Sequence, residues 1–340
     1  MDQGRDALDA FVEGEMGAHS IPGVSLAMIR EGRVAAARGY GHVAAGERAV
    51  DSKTLFQAAS ISKTFVALGA LILVEQGRLA LDEDVNSRLK DWKVPENEFT
   101  RMEKVTVRRI LSHTAGLTVH GFPGYARGRA LPELTDILDG VGCANTAPIR
   151  VAAIPGSEWK YSGGGYTVLQ KLMIDVTGES FPDLMRELVL EPLNMENSTF
   201  EQPLPAAREG CAACGHVRQI GRFRGNWNVY PEMAAAGLWS TPSDLVRFVI
   251  AMQEAKAGRT GGVLSPAIAG WMTTPVMKAK GLGLALGGVK NQFFGHDGRN
   301  YGFDSRLLGS DTNGVAVMIN ANDDSGVVKR IGKAAWNRGG

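Results

Sequence analysis

The chain has 340 residues, which is long enough to bury a large hydrophobic core as one domain or as two closely packed lobes. Its 37 lysine and arginine residues balance 36 aspartate and glutamate residues, which leaves a net charge of +1. This balance provides no general attraction for nucleic acid or for an anionic membrane, and it favours a small neutral substrate.

The first segment, up to about residue 16, is acidic and amphipathic, with Leu8, Phe11 and Val12 at helical spacing. It predicts a helix, and it lacks the basic start and apolar centre of a signal peptide. The longest apolar run, residues 65–74, is far shorter than the roughly 20 residues that span a bilayer. We therefore expect a soluble protein without a membrane span, cytoplasmic unless a leader has been removed from a periplasmic or secreted precursor.

Signals for a hairpin and then for a buried helix follow. Residues 23–41 alternate around Glu31 and Gly32, a pair that suits a tight turn, and they predict two antiparallel strands. Residues 56–78 are apolar nearly all round, which is typical of a central helix, and Gly77 is well placed to end that helix.

The sequence pattern changes between about residues 81 and 230, where short segments with helical periodicity alternate with loops rich in glycine and proline. Residues 241–255 then predict a regular helix with Thr241 or Ser243 as its N-cap. A final helix is expected at about residues 325–336. Short runs separated by turn residues predict an antiparallel meander with strands at 281–288, 291–298, 302–310 and 314–322.

This order of elements predicts an α+β fold. Strands near both ends of the chain favour one antiparallel β-sheet flanked by the N- and C-terminal helices, with a mostly α-helical insertion. No linker separates independent domains, so we expect a single domain over residues 1–340. One sublobe would combine residues 1–80 with 231–340 and be mixed α/β, and the other, residues 81–230, would be mostly helical.

Three cysteines, Cys143, Cys211 and Cys214, do not make a disulfide framework. The spacing of Cys211 and Cys214, with His216 close by, raises a zinc site or a redox pair as hypotheses. A structural zinc site takes four ligands, usually from a second pair, and the sequence offers none. We therefore expect an incidental pair in a loop, with no metal and no cofactor.

The pattern Ser-x-x-Lys occurs three times, at Ser60–Lys63, Ser87–Lys90 and Ser157–Lys160. The second lies in a charged segment, and the third follows a proline-glycine turn. Only the first opens an apolar helix, where residues three apart share a face and an amine can reach a hydroxyl. The start of a helix also offers free N–H groups to an oxyanion. The plain alternative makes Ser60 an N-cap and lets Lys63 extend to solvent.

Two further segments carry residues suited to the same chemistry. Tyr161 precedes a run of three glycines, where the backbone can approach a ligand closely. His296 ends an apolar, strand-like run and is followed at once by a turn that holds Gly298. A histidine in such a place is either a structural group or part of the lining of a cleft.

In this order, the motifs SISK at 60–63, YSG at 161–163 and HDG at 296–298 resemble the three motifs of the serine β-lactamase and penicillin-binding-protein superfamily. The chain is most similar to the class C β-lactamase-like branch, which includes carboxylesterases and D-aminopeptidases. The resemblance implies one β-lactamase-like catalytic domain with its site between the sheet and the helical insertion. It covers about residues 8–335 and includes the segments 21–34, 111–117, 191–200 and 237–248.

The resemblance also implies a role for each residue of the first two motifs. Ser60 is expected to be the acylated nucleophile, Lys63 its partner, and Tyr161 the general base for Ser60 and later for the deacylating water. A serine hydroxyl is a weak nucleophile near neutral pH and needs such a base. Whether Tyr161 or a neutral Lys63 takes the proton is left open by the motifs.

The third motif is expected to complete the site around the substrate. By resemblance, the backbone N–H groups of Ser60 and Arg299 would form the oxyanion hole. The strand that bears His296, Asp297 and Gly298 would border the bound acyl group. The partner would be a small-molecule ester or amide, and the sequence gives no indication of the oligomeric state.

Two positions depart from the β-lactamase pattern. Gly163 stands where the second motif usually ends in an asparagine that contacts the substrate amide. His296 stands where the third usually begins with a lysine that holds a carboxylate. Because ester hydrolysis needs neither group, we expect a carboxylesterase for short-chain esters with at most weak β-lactamase activity. A D-amino-acid peptidase or carboxypeptidase, a β-lactamase and a non-catalytic penicillin-binding-like sensor are the alternatives.

Other candidate residues have structural alternatives. His113 is expected to organise a turn, and His120 and His216 are expected at the surface or in loops. Four aromatic residues either line an apolar acyl pocket or belong to the core. They are Tyr125, Trp227, Tyr230 and Trp239.

Overall fold

The strands of the fold come from both ends of the chain. The computed structural model describes residues 3–217, 221–259, 261–322 and 324–338, so the first two residues of the predicted N-terminal helix lie outside it. The strands are β1 (Gly23–Arg30), β2 (Arg33–Gly41), β3 (Phe56–Gln57), β4 (Tyr125–Ala126), β5 (His216–Val217), β6 (Gly221–Arg222), β7 (Asn228–Val229), β8 (Trp239–Ser240), β9 (Ala285–Gly287), β10 (Phe293–Asn300), β11 (Phe303–Gly309) and β12 (Gly314–Ile319).

Helices occupy both termini and most of the regular structure between the strands. Short 3₁₀ turns at Ala59–Ile61, Val85–Ser87 and Val289–Asn291 and a π turn at Arg186–Leu190 interrupt or extend them. The α-helices are α1 (Gln3–His19), α2 (Ser62–Glu75), α3 (Glu98–Met102), α4 (Val107–Leu111), α5 (Leu134–Asp139), α6 (Gly163–Thr177), α7 (Phe181–Met185), α8 (Ala206–Glu209), α9 (Met233–Ala236), α10 (Pro242–Lys256), α11 (Pro266–Thr273) and α12 (Val327–Arg338).

One antiparallel sheet holds six of the strands in the order β2-β1-β12-β11-β10-β9. The N-terminal hairpin turns at Glu31 and Gly32, both with positive φ, as a two-residue hairpin turn requires. β1 then pairs with β12, with Val24 opposite Ile319, and this pairing joins the two ends of the chain in one sheet. The predicted α+β class with an antiparallel sheet is confirmed.

The two faces of the sheet bury different helices. On one face, α1 and α12 pack through Leu8, Val12 and Ile331 against Leu26 and Val317. The larger core on the other face contains α2, α6 and α10, and 11 of the 14 residues of α2 are buried. Burying apolar side chains on both faces supplies most of the driving force for folding. No helix in the described part of the chain is long and apolar enough to cross a membrane.

Several helix ends follow the sequence signals. Gly77 has a φ of +70° and follows α2, and its N–H donates to the carbonyl of Val74 (2.9 Å). Thr241 is the N-cap of α10, because its hydroxyl accepts the N–H of Asp244 (3.1 Å). Of the two predicted N-caps, Thr241 rather than Ser243 fills the position.

Two predicted elements differ from the structure. The helix expected from residue 56 begins only at Ala59, whose positive φ of +52° breaks the helical path, and the preceding Phe56–Gln57 pairs with β8 instead. The strand expected over 281–288 shrinks to β9, because Gly283 has a φ of +77°. The break at Ala59 lies directly before α2. The break at Gly283 brings that glycine against α2, where a Cβ on Gly283 would lie 2.2 Å from the Cβ of Ala67.

A buried carboxylate, Glu232, lies at the N-terminal end of the short helix α9. Its side chain is fully buried, and neither carboxylate oxygen makes a hydrogen bond of good geometry within the described structure. Burial raises the pKa of Glu232 to about 7. The folded protein therefore retains a proton on Glu232 at pH values where the unfolded chain has lost it.

We expect the free energy of unfolding to fall as the pH rises from about 4.5 to about 7, because the unfolded state binds fewer protons at Glu232 in this window. In Glu232→Gln this contribution is absent. Relative to the variant, the wild type should lose roughly 2 to 3 kcal/mol between pH 5 and pH 8, measured by urea unfolding. Parallel pH dependences of the two proteins would contradict this expectation.

Candidate active site

The turn that carries Ser60 is held by hydrogen bonds with two distant parts of the fold. The N–H of Ala58 donates to the carbonyl of Leu238 (2.8 Å), and the hydroxyl of Ser305 donates to the carbonyl of Ala58 (2.8 Å). Between Ala58 and Ser60, Ala59 adopts a left-handed φ of +52°, a strained conformation for a residue with a side chain. This strain ends β3 sharply and places Ser60, half-buried, at the start of the helical segment.

Lys63 lies one turn further on, almost fully buried with 2% of its surface exposed. Its Nζ donates to the Oγ of Ser60 (3.1 Å) and to the carbonyl of Ala235 in α9 (2.6 Å). The rings of Tyr161 and Tyr166 lie 5.1 and 5.7 Å from the same nitrogen. Neutral oxygens and aromatic faces therefore surround this amine, and it shares no ion pair in the described structure.

The other two Ser-x-x-Lys pairs do not show this arrangement. The hydroxyl of Ser87 donates to the carboxylate of Glu83 (2.7 Å), and Lys90 is exposed. The hydroxyl of Ser157 donates to the carbonyl of Ile154 (2.7 Å) in an exposed turn. Only at Ser60 do the described residues bring a lysine amine within hydrogen-bonding distance of the serine three residues before it.

Tyr161 extends into the same region from the segment before α6. Its ring lies 5.1 Å from the Lys63 amine and is surrounded by three imidazole rings. The centroids of His113, His120 and His296 are 4.3, 4.8 and 6.2 Å from that of Tyr161. The ring of Tyr161 is therefore held between aromatic faces and beside the amine that contacts Ser60.

His113 fixes this tyrosine through the backbone as well as through its ring. Its Nδ1 accepts the N–H of Ser162 (3.2 Å), and its carbonyl accepts the N–H of Lys160 (2.9 Å). Burial, together with the charge of Lys63, holds the pKa of His113 well below its usual range. The neutral ring thus carries its proton on Nε2. The expected turn is present at His113, with a φ of +58°, but the residue also packs against Tyr161.

The third motif lies on β10, directly beside Ser60. A Cβ on Gly298 would lie 2.2 Å from the carbonyl oxygen of Ala58 and 3.1 Å from the nitrogen of Ser60, so only glycine allows this approach. Arg299 follows, with its guanidinium bound to both oxygens of Asp304 (2.7 Å each). The predicted use of its backbone N–H as an oxyanion donor stays a prediction.

His296 and Asp297 point to different surroundings. His296 is half-buried, and its Nδ1 lies 2.6 Å from the carbonyl of Asp297 and donates to it. Burial and the charge of Lys63 lower the pKa of His296 to about 4, so its imidazole is neutral near pH 7. The carboxylate of Asp297 instead forms ion pairs with Arg306 (2.7 Å) and with Lys329 of α12 (3.4 Å).

An open cleft of about 730 Å³ joins these residues. Ser60, Tyr161 and the HDG residues of β10 line it, as the sequence predicts. The sequence missed several other lining residues, and four of them come from loops whose position no local pattern reveals. They are His120, Phe122, Trp159 and Lys280.

Gly163 lies beside this cleft, at the first residue of α6. A Cβ there would lie 3.0 Å from the carbonyl oxygen of His120 and 3.1 Å from the ring of Phe122. The N–H of Gly163 donates to the same carbonyl (3.0 Å). The loop 120–122 therefore occupies the space next to Gly163, and an asparagine side chain would have to displace it.

The four aromatic residues proposed for an acyl pocket lie in the core instead, outside the lining of the cleft. Trp227 and Trp239 pack edge to face with their centroids 5.2 Å apart. The hydroxyl of Tyr230 accepts the N–H of Tyr301 (3.1 Å). That of Tyr125 accepts the N–H of Asn145 (3.1 Å). These positions match the structural alternative, in which the four residues belong to the core. Phe122 and Trp159 join Tyr161 in the lining of the cleft.

The Cys-x-x-Cys segment has no arrangement suited to a metal. Cys211 is exposed while Cys214 is buried, and within the described ranges no three histidine, cysteine or acidic side chains are grouped to hold an ion. The expected surface position of His216 is wrong. It is buried in β5, where its Nδ1 lies 2.8 Å from the carbonyl of Cys214.

The close approach of β10 to Ser60 gives a direct test. In Gly298→Ala the new Cβ would meet backbone at 2.2 Å and push β10 away from Ser60. We expect the rate at which a fluorophosphonate labels Ser60 to fall about 100-fold, the cost of a misplacement near 1 Å. Gly287→Ala is the matched control, because its Cβ would enter open space on neighbouring β9. Equal labelling rates in the two folded variants would contradict this picture.

Comparison with known proteins agrees with this geometry. The model of one protein family, described as Beta-lactamase, matches residues 8–338. Penicillin-binding protein 4 of Amycolatopsis lactamdurans is 29% identical over 324 residues, which cover 89% of this chain and 81% of that protein. Protein flp of Staphylococcus aureus (strain N315) is 27% identical over 239 residues, or 69% of this chain. The aligned part is 45% of flp, so the chain spans about half the length of that relative.

Solved structures share the fold over almost the whole chain. D-amino acid amidase from Ochrobactrum anthropi SV3 superposes with a TM-score of 0.74 at 22% sequence identity, over 98% of this chain and 97% of that one. At such an identity the likeness concerns the fold alone. The family match, by contrast, extends from α1 to α12 and contains all three motifs. The chain therefore belongs to the β-lactamase family and has the fold of that family.

Proposed function

We propose that the protein is a carboxylesterase that hydrolyses short-chain esters through an acyl-enzyme on Ser60. The observation that carries the proposal is the hydrogen bond of 3.1 Å between the buried amine of Lys63 and the Oγ of Ser60. A hydroxyl beside a positioned basic group is the arrangement that nucleophilic catalysis by serine requires.

The reaction would begin when Ser60 loses its proton and its Oγ bonds to the ester carbonyl carbon. Tyr161 or a neutral Lys63 takes that proton: the Lys63 amine contacts the Oγ of Ser60, and the ring of Tyr161 lies 5.1 Å from that amine. When the tetrahedral adduct collapses, the bond to the alkoxy oxygen breaks and the leaving alcohol receives the proton. Water then attacks the acyl group, its proton passing to the same base, and the acid and free Ser60 are released.

The oxyanion of each tetrahedral adduct needs donors that are already in place. We assign this role to the backbone N–H groups of Ser60 and Arg299. The contact of Gly298 with the nitrogen of Ser60 supports the assignment, because it brings β10 to the nucleophile. Removing one such donor typically costs a few kcal/mol of transition-state stabilisation.

The proposed preference for esters rests on the absence of two groups. Elsewhere in the family, these groups recognise amide substrates. The side chain that would contact a substrate amide is absent at Gly163, and loop 120–122 fills the adjacent space. His296 is neutral near pH 7, so it does not replace a lysine charge. An ester has a better leaving group than an amide and makes fewer demands on such contacts.

Amide hydrolysis is the second candidate. D-amino acid amidase, whose name states its substrate class, shares the fold over 98% of this chain. A D-amino-acid peptidase, carboxypeptidase or β-lactamase would use the same acyl-enzyme chemistry, whereas a non-catalytic sensor would bind without turnover.

Replacement of the proposed catalytic groups tests the mechanism. We expect Ser60→Ala to abolish hydrolysis of p-nitrophenyl butyrate and fluorophosphonate labelling. Tyr161→Phe should lower kcat by about 100-fold or more, since general-base catalysis contributes 10²–10⁴-fold. Ser157→Ala removes the exposed look-alike serine and serves as the control. Near-normal turnover in Ser60→Ala or Tyr161→Phe would refute the mechanism.

The substrate class is tested by comparing kcat/KM for esters, D-peptides and a β-lactam. We expect kcat/KM for short p-nitrophenyl esters to exceed that for D-alanyl peptides and for a chromogenic β-lactam. Mass spectrometry should show the acyl adduct on Ser60 during ester turnover. A clear preference for the D-peptides would favour the peptidase, and stable binding of a β-lactam without turnover of any substrate would favour the sensor.

The low pKa of His296 predicts the shape of the pH profile. Above about pH 5 this imidazole is neutral, and it gains charge beside Lys63 only as the pH falls through about 4. His296→Gln should therefore leave the profile of kcat/KM between pH 5 and pH 8 unshifted, whatever its effect on the absolute rate. If the wild-type profile has an acid limb near pH 6.5 that disappears in this variant, His296 titrates near pH 6.5, and the lowered pKa is contradicted.

A further inference from the structure

The cleft contains a cation that the sequence motifs did not reveal. Lys280, in the loop before β9, lines the cleft together with Ser60, Tyr161 and His296. It also lines a cavity of about 30 Å³ together with Tyr161 and His296. The charge of Lys280 contributes to the low pKa of His296 and of His113.

The backbone around Lys280 is fixed by the fold. The N–H of Val276 donates to the carbonyl of Lys280 (2.8 Å), and the N–H of Leu286 in β9 donates to the carbonyl of Ala279 (2.9 Å). A bridge between Lys280 and Ala285 joins the two arms of the same loop. The ammonium group is therefore presented to the cleft from a hydrogen-bonded loop.

Among the residues that the structure describes, Lys280 has an aromatic neighbour but no counter-ion. Its Nζ lies 5.2 Å from the centroid of the Trp159 ring, which also lines the cleft. Within the described residues, no carboxylate forms an ion pair with it. A half-buried ammonium without a counter-ion attracts an anion strongly, because solvent screens it less than a surface charge.

The carboxylates of the cleft already have cationic partners. Asp297 pairs with Arg306 and Lys329, as described above. Asp304 and Asp324 both pair with the guanidinium of Arg299 (2.7 and 2.5 Å). The protein thus neutralises the acidic groups around the substrate site and leaves the positive charge of Lys280 for an incoming group.

We propose that Lys280, backed by Trp159, is an anion-recognition site of this cleft, and that the physiological substrate is an ester that carries a carboxylate. The proposal deepens the proposed function and rests on it. The carboxylate belongs either to the acyl part or to the leaving alcohol, since Lys280 faces the shared cleft. Lys280 would supply from a loop the charge that His296 does not supply from β10.

Two matched ester pairs test the proposal, one for each position of the carboxylate. The first compares mono-p-nitrophenyl succinate with neutral p-nitrophenyl butyrate. The second compares p-nitrophenyl acetate with an analogue that carries a carboxylate on the nitrophenyl ring. For each pair, the ratio of kcat/KM for the anionic ester to that for the neutral ester is measured at low salt and at high salt.

In the wild type we expect this ratio to exceed 1 for at least one pair and to fall with added salt. Lys280→Met should lower the ratio at least about tenfold, equivalent to about 1.4 kcal/mol, and Lys280→Arg should retain most of it. Lys278→Met is the matched control, because Lys278 also lies over Trp159 (5.4 Å) but is exposed and does not line the cleft. The pair that responds identifies the side of the ester on which the carboxylate lies.

Unchanged ratios for both pairs in Lys280→Met, or the same fall in Lys278→Met, would overturn the proposal while ester hydrolysis stands. Failure of the proposed function looks different, because then neither ester of a pair is hydrolysed and Ser60 is not acylated. In that case calorimetry of mono-p-nitrophenyl succinate with Ser60→Ala protein decides. Binding that is lost in Ser60→Ala/Lys280→Met supports the anion site, and binding that is absent or unaffected overturns it.

Discussion

The buried amine of Lys63 is the constraint around which the site is built. Moving an ammonium group out of water is costly unless it gains compensating contacts. Lys63 obtains them from the hydroxyl of Ser60, the carbonyl of Ala235 and the faces of Tyr161 and Tyr166 rather than from a carboxylate. A carboxylate would hold the amine in a tight ion pair. With neutral partners, the amine stays in direct contact with the hydroxyl of Ser60, as the proposed mechanism requires.

The same charge determines the state of the histidines near it. Burial and the field of Lys63 keep His113 and His296 neutral, so imidazoles that would otherwise titrate near pH 6.5 act here as packing and hydrogen-bonding groups. A neutral His296 cannot attract a substrate anion from β10. The positive charge at the edge of the cleft comes instead from Lys280, over the ring of Trp159. The net charge of +1 gave no hint of this, because it averages over pairs that neutralise one another.

Local patterns predicted much of the fold but only the short-range part of the site. The hairpin, the C-terminal meander and the long helices follow from periodicity and turn residues, which act over a few positions. Ser60–Lys63 is a contact within one helical turn, so spacing was enough to find it once Tyr161 and His296 had distinguished it from its two look-alikes. Lys280 and Trp159 reach the cleft from loops more than 100 residues apart in the chain, and their meeting depends on tertiary packing. The strain at Ala59, which moved the start of the helix, likewise has no local signal.

The difference between Gly163 and Gly298 shows how the cleft acquires its selectivity. Gly298 is required because β10 contacts the backbone at Ala58 and Ser60, so any side chain there would displace β10. At Gly163 the missing side chain is replaced by a loop, since His120 and Phe122 fill the space beside the helix. Gly298 therefore keeps β10 against the backbone of Ser60. At Gly163, an apolar wall occupies the space into which a side chain would otherwise extend. A cleft with an apolar wall on one side and, among the described residues, an ammonium without a counter-ion on the other is suited to select substrates by their shape and charge.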